Sequence, residues 1–186
     1  IQFTEISNNT FNAYDNSWNN LTTVTGLNLI TIGIYAFISC PSLTQINLSN
    51  IQSIGYGAFR RCPSLTEIDL FSVTSIGVSA FSNCTSLTEI NIPLLQDISE
   101  GTFESCSSLT QIDLSSVTNI GAYAFLHCTS LTQLDLFSVT SIGARAFQDC
   151  SNLTEINIPL LQDIRQHTFE SCSSLTQIDL SSVTSI

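Results

Sequence analysis

Methionine and lysine are absent from the 186 residues, tryptophan occurs once, and the four basic residues are Arg60, Arg61, Arg145 and Arg165. Fifteen acidic residues stand against them, for a formal net charge of −11. A protein that binds nucleic acid by neutralising phosphates needs a basic stripe, and this chain has none. No apolar run approaches the roughly 18 residues of a membrane-spanning helix, and no basic stretch followed by a hydrophobic one opens the chain. A chain that begins at Ile1 and lacks methionine reads as a mature product or a fragment, so any sorting signal lies out of view. Charge of either sign is sparse at 10% of residues, while 43% are hydrophobic. Such a composition buries enough apolar surface to offset the entropy of ordering, which excludes a disordered chain.

The chemistry-bearing motifs are missing too. There is no glycine-rich phosphate loop, no nucleophile elbow and no histidine-containing metal motif. His127 and His167 occupy different places in the pattern described below, with no repeated carboxylate partner, and are expected in solvent. The arginines are too sparse to build a phosphate site. Neither catalysis nor a cofactor is expected.

What the chain does have is seven cysteines: Cys40, Cys62, Cys84, Cys106, Cys128, Cys150 and Cys172, one every 22 residues. This is a repeat protein. A leucine column runs Leu21, Leu43, Leu65, Leu87, Leu109, Leu131, Leu153 and Leu175, and Trp18 stands where a preceding cysteine would fall. Three positions after each leucine comes Val24, Ile46, Ile68, Ile90, Ile112, Leu134, Ile156 or Ile178. Two further on is a leucine or isoleucine, a column broken only by Gly26. A longer period overlies this one. The unit that starts at Cys84 returns almost unchanged at Cys150, 66 residues later, as expected from recent duplication of a three-unit block.

Within a unit, LTEIDL puts Ile68 and Leu70 on one side of a strand and Glu67 and Asp69 on the other. VTSIG points Val73 and Ile76 inward, and Gly77 permits a turn or a close approach. In VSAFSNC the spacing of Ala80, Phe81 and Cys84 fits one short helical turn. One such unit has too little apolar surface to hold itself folded. Neighbours that cover its open faces make a quasi-one-dimensional solenoid the expected architecture. Eight strands at about 4.8 Å spacing would form a sheet roughly 40 Å long.

The pattern LxxIxLxxVxxIGxxAFxxCxS, read from Leu65 to Ser86 and again in each unit, resembles the BspA-like leucine-rich repeat, also called the Treponema pallidum type. Ile54-Gly55, Ala58-Phe59 and Cys62 carry its distinguishing segment, with matching sets ending at Cys40, Cys84, Cys128 and Cys150. Ser99 and Arg165 depart from the glycine, and Thr102 and Thr168 from the alanine. The resemblance implies a right-handed leucine-rich-repeat solenoid with a parallel strand sheet on one face and short extended segments and helical turns on the others. It also implies a non-enzymatic surface or secreted protein whose array mediates adhesion or protein binding. Residues 18–186 would form about eight units, the last cut short, and residues 1–17 a degenerate N-terminal cap in which Phe3 to Ile6 mimics the strand start.

The cysteine column is read as seven buried small hydrophobes with a structural role, since an odd count and parallel side chains oppose a full set of bridges and no zinc-ligand spacing is present. The expected binding face is the outer side of the strands: Glu67, Asp69, Glu89, Asn91, Asp113, Asp135, Glu155, Asn157 and Asp179. It would recognise a basic or polar partner, such as a host or matrix protein; the competing reading is a solvated face that keeps an apolar solenoid in solution. No EF-hand or acidic nonapeptide loop marks a calcium site. The column Thr44 to Thr176 is expected to hydrogen-bond along the ladder. Asn8, Asn20, Asn47 and Asn152 are possible N-glycosylation sites, with Asn83 a weaker candidate because Cys84 beside it should be buried. Two functions follow as expectations: an extracellular or cell-surface adhesion module, or a structural solenoid that self-associates into a surface fibre.

Overall fold

The computed structural model describes residues 18–25 and 29–186, together with the strand Glu5–Ile6. The rest of the expected cap, the break at Gly26 and the Asn8 sequon lie outside the described residues. The chain winds as a solenoid of about seven turns, and two strand ladders run along its length, the first hydrogen-bonded as three successive sheets and the second as two.

The first ladder stacks the strands Thr23–Thr25, Gln45–Asn47, Glu67–Ile68, Glu89–Ile90, Gln111–Ile112, Gln133–Asp135, Glu155–Asn157 and Gln177–Ile178. The second stacks Thr31–Ile32, Ser53–Ile54, Ser75–Ile76, Asp97–Ile98, Asn119–Ile120 and Ser141–Ile142, and ends in a bridge between Asp163 and Ser185. All pairings are parallel, and from Thr23 onward partners are one 22-residue unit apart, as in Val24 with Ile46 and Ile120 with Ile142. Glu5–Ile6 pairs with Thr31–Ile32 and so belongs to the second ladder, not to the first-ladder strand start that the sequence suggests. Twenty-six residues separate Glu5 from Thr31, so the register differs there, and apolar residues three apart, Phe3 and Ile6, match Leu65 and Ile68 of the first ladder as well as Val73 and Ile76 of the second.

Side-chain period two decides which residues form the core. Ile46, Ile90 and Leu134 turn inward from the first ladder and Ile54, Ile76, Ile98 and Ile120 from the second, all buried. The leucine column from Leu43 to Leu153 is wholly enclosed, and Trp18 packs against the same core from the N-terminal side.

The third side corrects the expected helical turn: among the described residues there is no helix. Each coil there carries two residues of positive φ four apart, such as Ser79 (54°) with Asn83 (63°) and Tyr123 (59°) with His127 (60°). A right-handed helix cannot contain left-handed residues at that interval. The consequence is a third set of inter-coil bonds. The N–H groups of Ser79, Phe81 and Asn83 donate to the carbonyls of Glu100, Thr102 and Glu104 in the next coil at 2.7–2.9 Å. A helix would have spent those donors on its own coil. Inside this wall Phe37, Phe59, Phe81, Phe103, Phe125, Phe147 and Phe169 form a continuous stack, with centroids 5.2–5.8 Å apart and planes within 21° of parallel. Offset stacking at this distance adds about 0.5–1.5 kcal/mol per pair beyond burial.

The glycine column marks where backbones nearly touch. A Cβ on Gly77 would lie 2.6 Å from the Tyr56 nitrogen and 2.7 Å from the Gly55 carbonyl carbon, neither of which can swing aside. Where Ser99 replaces glycine, its hydroxyl donates to the Ile76 carbonyl at 2.7 Å.

Candidate protein-binding face

The outer side of the first ladder holds the acidic and amide residues singled out from sequence. Glu67, Asp69, Glu89, Asn91, Asp113, Asp135, Glu155 and Asp179 are exposed there and Asn157 is half-buried. Parallel register aligns them into two rows: Glu89 lies beside Gln111, Gln133 beside Glu155, and Asp135 beside Asn157. Within a row, the Gln45 amide donates to a Glu67 carboxylate oxygen at 2.9 Å. Shallow depressions run between the rows, one lined by Gln133, Asp135, Glu155, Asn157, Gln177 and Asp179 and another by Glu89, Asn91, Gln111 and Asp113. None of the four arginines lies on a strand of this ladder.

Three of the aspartates also have a local task. Oδ1 of Asp69, Asp113 and Asp179 accepts the backbone N–H of Phe71, Ser115 and Ser181, two residues on, at 2.9–3.0 Å. This Asx turn bends the chain out of the strand toward the next side of the coil. The backbone N–H of Ser115 lowers the Asp113 carboxyl below its ordinary range, aided by the Ser115 side chain, and Ser181 does the same for Asp179. Both are therefore ionised across the physiological range.

The threonine column bonds along the ladder at five of its seven members, Thr88 and Thr132 standing at the breaks between sheets. The hydroxyls of Thr44, Thr66, Thr110, Thr154 and Thr176 each donate to the threonine carbonyl one coil earlier at 3.0–3.2 Å. The seven thiols are buried and unbridged. What sequence reasoning missed is their partner. From Cys62 to Cys172, each Sγ–H donates at 3.0–3.2 Å to the carbonyl of the phenylalanine 25 residues earlier, as Cys106 does to Phe81. Burial pushes the Cys84 thiol up to about 12 and that of Cys172 to about 11, and it raises Cys62, Cys106, Cys128 and Cys150 as well.

The histidines do find carboxylates. Nδ1 of His127 lies 3.3 Å from Asp149 in the next coil, and Nδ1 of His167 lies 2.8 Å from Glu170. Both pairs lie on the turn side, away from the strand face. Among the described residues no three histidine, cysteine, aspartate or glutamate side chains gather as metal ligands would. Asn20, Asn47 and Asn152 are exposed, whereas Asn83 is half-buried and its amide donates to Ser82 at 2.9 Å.

A stack of 22-residue coils with a phenylalanine spine and a thiol in every full turn matches a known repeat. The family profile of the BspA type leucine rich repeat region, in six copies, aligns with residues 4–132 and 96–186. The chain belongs to the BspA-type leucine-rich repeat family. Among curated proteins none matches. Two of the solved structures that share the fold illustrate the likeness. A leucine rich cell surface protein from Faecalibacterium prausnitzii A2-165 is 28% identical, with a TM-score of 0.77 over 92% of this chain and 57% of its own. The leucine rich repeat protein of T. pallidum is 29% identical, with a TM-score of 0.54 over 82% of this chain and 63% of its own. This BspA-type array thus spans about three fifths of each relative's length. Among the described residues no helix is long and apolar enough to cross a membrane.

Proposed function

We propose that this BspA-type array is a cell-surface or extracellular adhesion module that binds a host or matrix protein through the outer face of its first ladder. The observation that carries the reading is that the exposed carboxylates of that face, interspersed with amides, have no arginine on any strand of the ladder. Such a face keeps a net negative field, and a partner with basic side chains is drawn to it. The surface location draws support from the F. prausnitzii relative, which is described as a cell surface protein. Lateral pairing of like faces into a fibre would bring carboxylate rows together, and light scattering at high concentration tests both lateral and end-to-end association: the binding module is expected to run as a monomer.

The test is binding of the chain to cultured cells and to immobilised matrix proteins. The triple variant Asp69→Asn, Asp113→Asn, Asp135→Asn removes charge while an amide oxygen still closes the Asx turns at positions 69 and 113. Affinity should fall about tenfold or more and lose most of its salt dependence, as for the loss of several complementary charges. Unchanged binding by a folded triple variant refutes the role of this face.

A further inference from the structure

Beside the acidic rows, at the corner where each coil passes from the first ladder to the second, two residues lie between core side chains, as between Leu70 and Val73 or Ile92 and Leu95, and at least one of them is exposed. Along the array these pairs read Phe71-Ser72, Pro93-Leu94, Ser115-Ser116, Phe137-Ser138, Pro159-Leu160 and Ser181-Ser182. Phe71, Leu94, Phe137 and Leu160 are 60%, 53%, 55% and 50% exposed. Two adjacent coils carry large apolar groups, the next carries only serine, and the order then repeats with the 66-residue block. Scattered exposed apolar residues are ordinary, but a repeated cluster is the mark of an interaction surface. The serine coil leaves a notch. A shallow groove there is lined by Thr110, Gln111, Asp113, Ser115, Asp135 and Phe137, so the acidic rows and the apolar ridge share one depression.

We infer that this ridge and the adjoining aspartates take an extended segment of a partner protein, with apolar side chains four residues apart and a lysine or arginine midway between them. The inference rests on the protein-binding reading above and names the chemistry of the ligand. Successive coils are about 4.8 Å apart, so the two apolar pairs are centred about 14 Å from each other, a span of about four residues of extended chain. Residues i, i+2 and i+4 of such a segment face the same way. With i against Phe71 and Leu94 and i+4 against Phe137 and Leu160, residue i+2 falls over the serine notch beside the exposed Asp113 carboxylate. Charge also selects the occupant. A second copy of this chain would set carboxylate rows against carboxylate rows, and an anionic lipid surface would be repelled in the same way.

The experiment uses the chain and a fluorescein-labelled peptide carrying Leu-Ser-Lys-Ser-Leu between serine flanks, read by fluorescence anisotropy. Two control peptides move the second leucine one residue on or replace the lysine by glutamate. The first peptide should bind at least about tenfold more tightly than either control, since one misplaced anchor or one reversed charge costs about a factor of ten or more. Phe71→Ser with Phe137→Ser should remove that preference, and Asp113→Asn with Asp135→Asn, the two carboxylates of the groove, should remove the discrimination between lysine and glutamate. Serine already occupies the same corner at Ser115 and Ser181, so the variant is expected to keep its circular dichroism and melting temperature. Equal binding of the three peptides overturns the inference, as does unchanged affinity in the serine variant. A dimer that the serine variant dissolves assigns the ridge to a second copy, and adsorption to phosphatidylcholine vesicles that it abolishes assigns the ridge to a membrane; either result overturns the inference. The two proposals fail separately. If the three-aspartate variant loses cell binding while the peptides do not discriminate, only the inference falls, whereas unimpaired cell binding by that variant removes the broader reading however the peptides behave.

Discussion

A thiol in this fold acts as a small apolar side chain with one weak donor, and its place beneath the phenylalanine spine explains both properties. The Phe81 carbonyl already accepts the Cys84 N–H of its own coil, and the Cys106 thiol covers its remaining lone pair from the next coil. Cys106→Ala removes a buried sulfur and leaves that acceptor half satisfied, so a loss of about 1–3 kcal/mol is expected in urea denaturation. The raised thiols add a pH dependence. The folded state keeps these protons where the unfolded chain has begun to release them, so the stability is fully present below about pH 9 and lost as pH rises toward the folded values. For Cys84, raised to about 12, each pH unit inside that window removes about 1.4 kcal/mol. Denaturation midpoints measured from pH 7 to pH 11 should therefore hold level and then decline, less steeply in Cys84→Ala. A midpoint that stays flat to pH 11 would show that the unfolded chain shields its thiols equally. Burial of the cysteines was legible from a 22-residue column without metal-ligand companions. Their hydrogen bonds were not, because the carbonyl that meets a thiol depends on how the preceding coil turns.

At the scale of the element, the two sides that read as extended segments are strands, while the third side departs from its expected form. Ala80, Phe81 and Cys84 are apolar at i, i+1 and i+4, a spacing shared by a helical turn and by a bend with left-handed residues at Ser79 and Asn83. Only the destination of the N–H groups separates the two, and in this solenoid it is the neighbouring coil. Left-handed positions also separate two kinds of glycine. Gly101 has φ +58° at a place where Ser79 and Tyr123 manage with side chains, so Gly101→Ala should cost about 1 kcal/mol. Gly77→Ala instead drives a methyl into the Tyr56 and Gly55 backbone, and should cost about 3 kcal/mol. Thermal melts of the two variants rank them directly, and an equal loss would mean that the coils can part at Gly77 without penalty.

For the whole molecule, the sequence repeat translates into translational symmetry, and that part of the architecture was legible because one residue in each column shows where all the others go. The binding face was half legible. Glu67 and Asp69 alternate with core residues, so period two assigns them to solvent, but Phe71 and Leu94 sit in a corner where no period assigns a side. Symmetry also sets how the chain answers to shortening. Deletion of Leu65–Ser130 removes 66 residues, joins Ser64 to Leu131, and lets Phe59 stack on Phe147 in place of Phe81. Every inter-coil contact is then replaced by its equivalent, because each coil meets only its neighbours. The 120 residues left of 186 should unfold in one transition, with a urea m-value about two thirds that of the parent, in proportion to the surface exposed. Deletion of Leu65–Asp97, half as long, sets the turn-side residues Glu100 and Gly101 where the strand Glu67–Ile68 belongs and should give no cooperative transition. Equal stability of the two shortened chains would contradict a structure held together by coil-to-coil register.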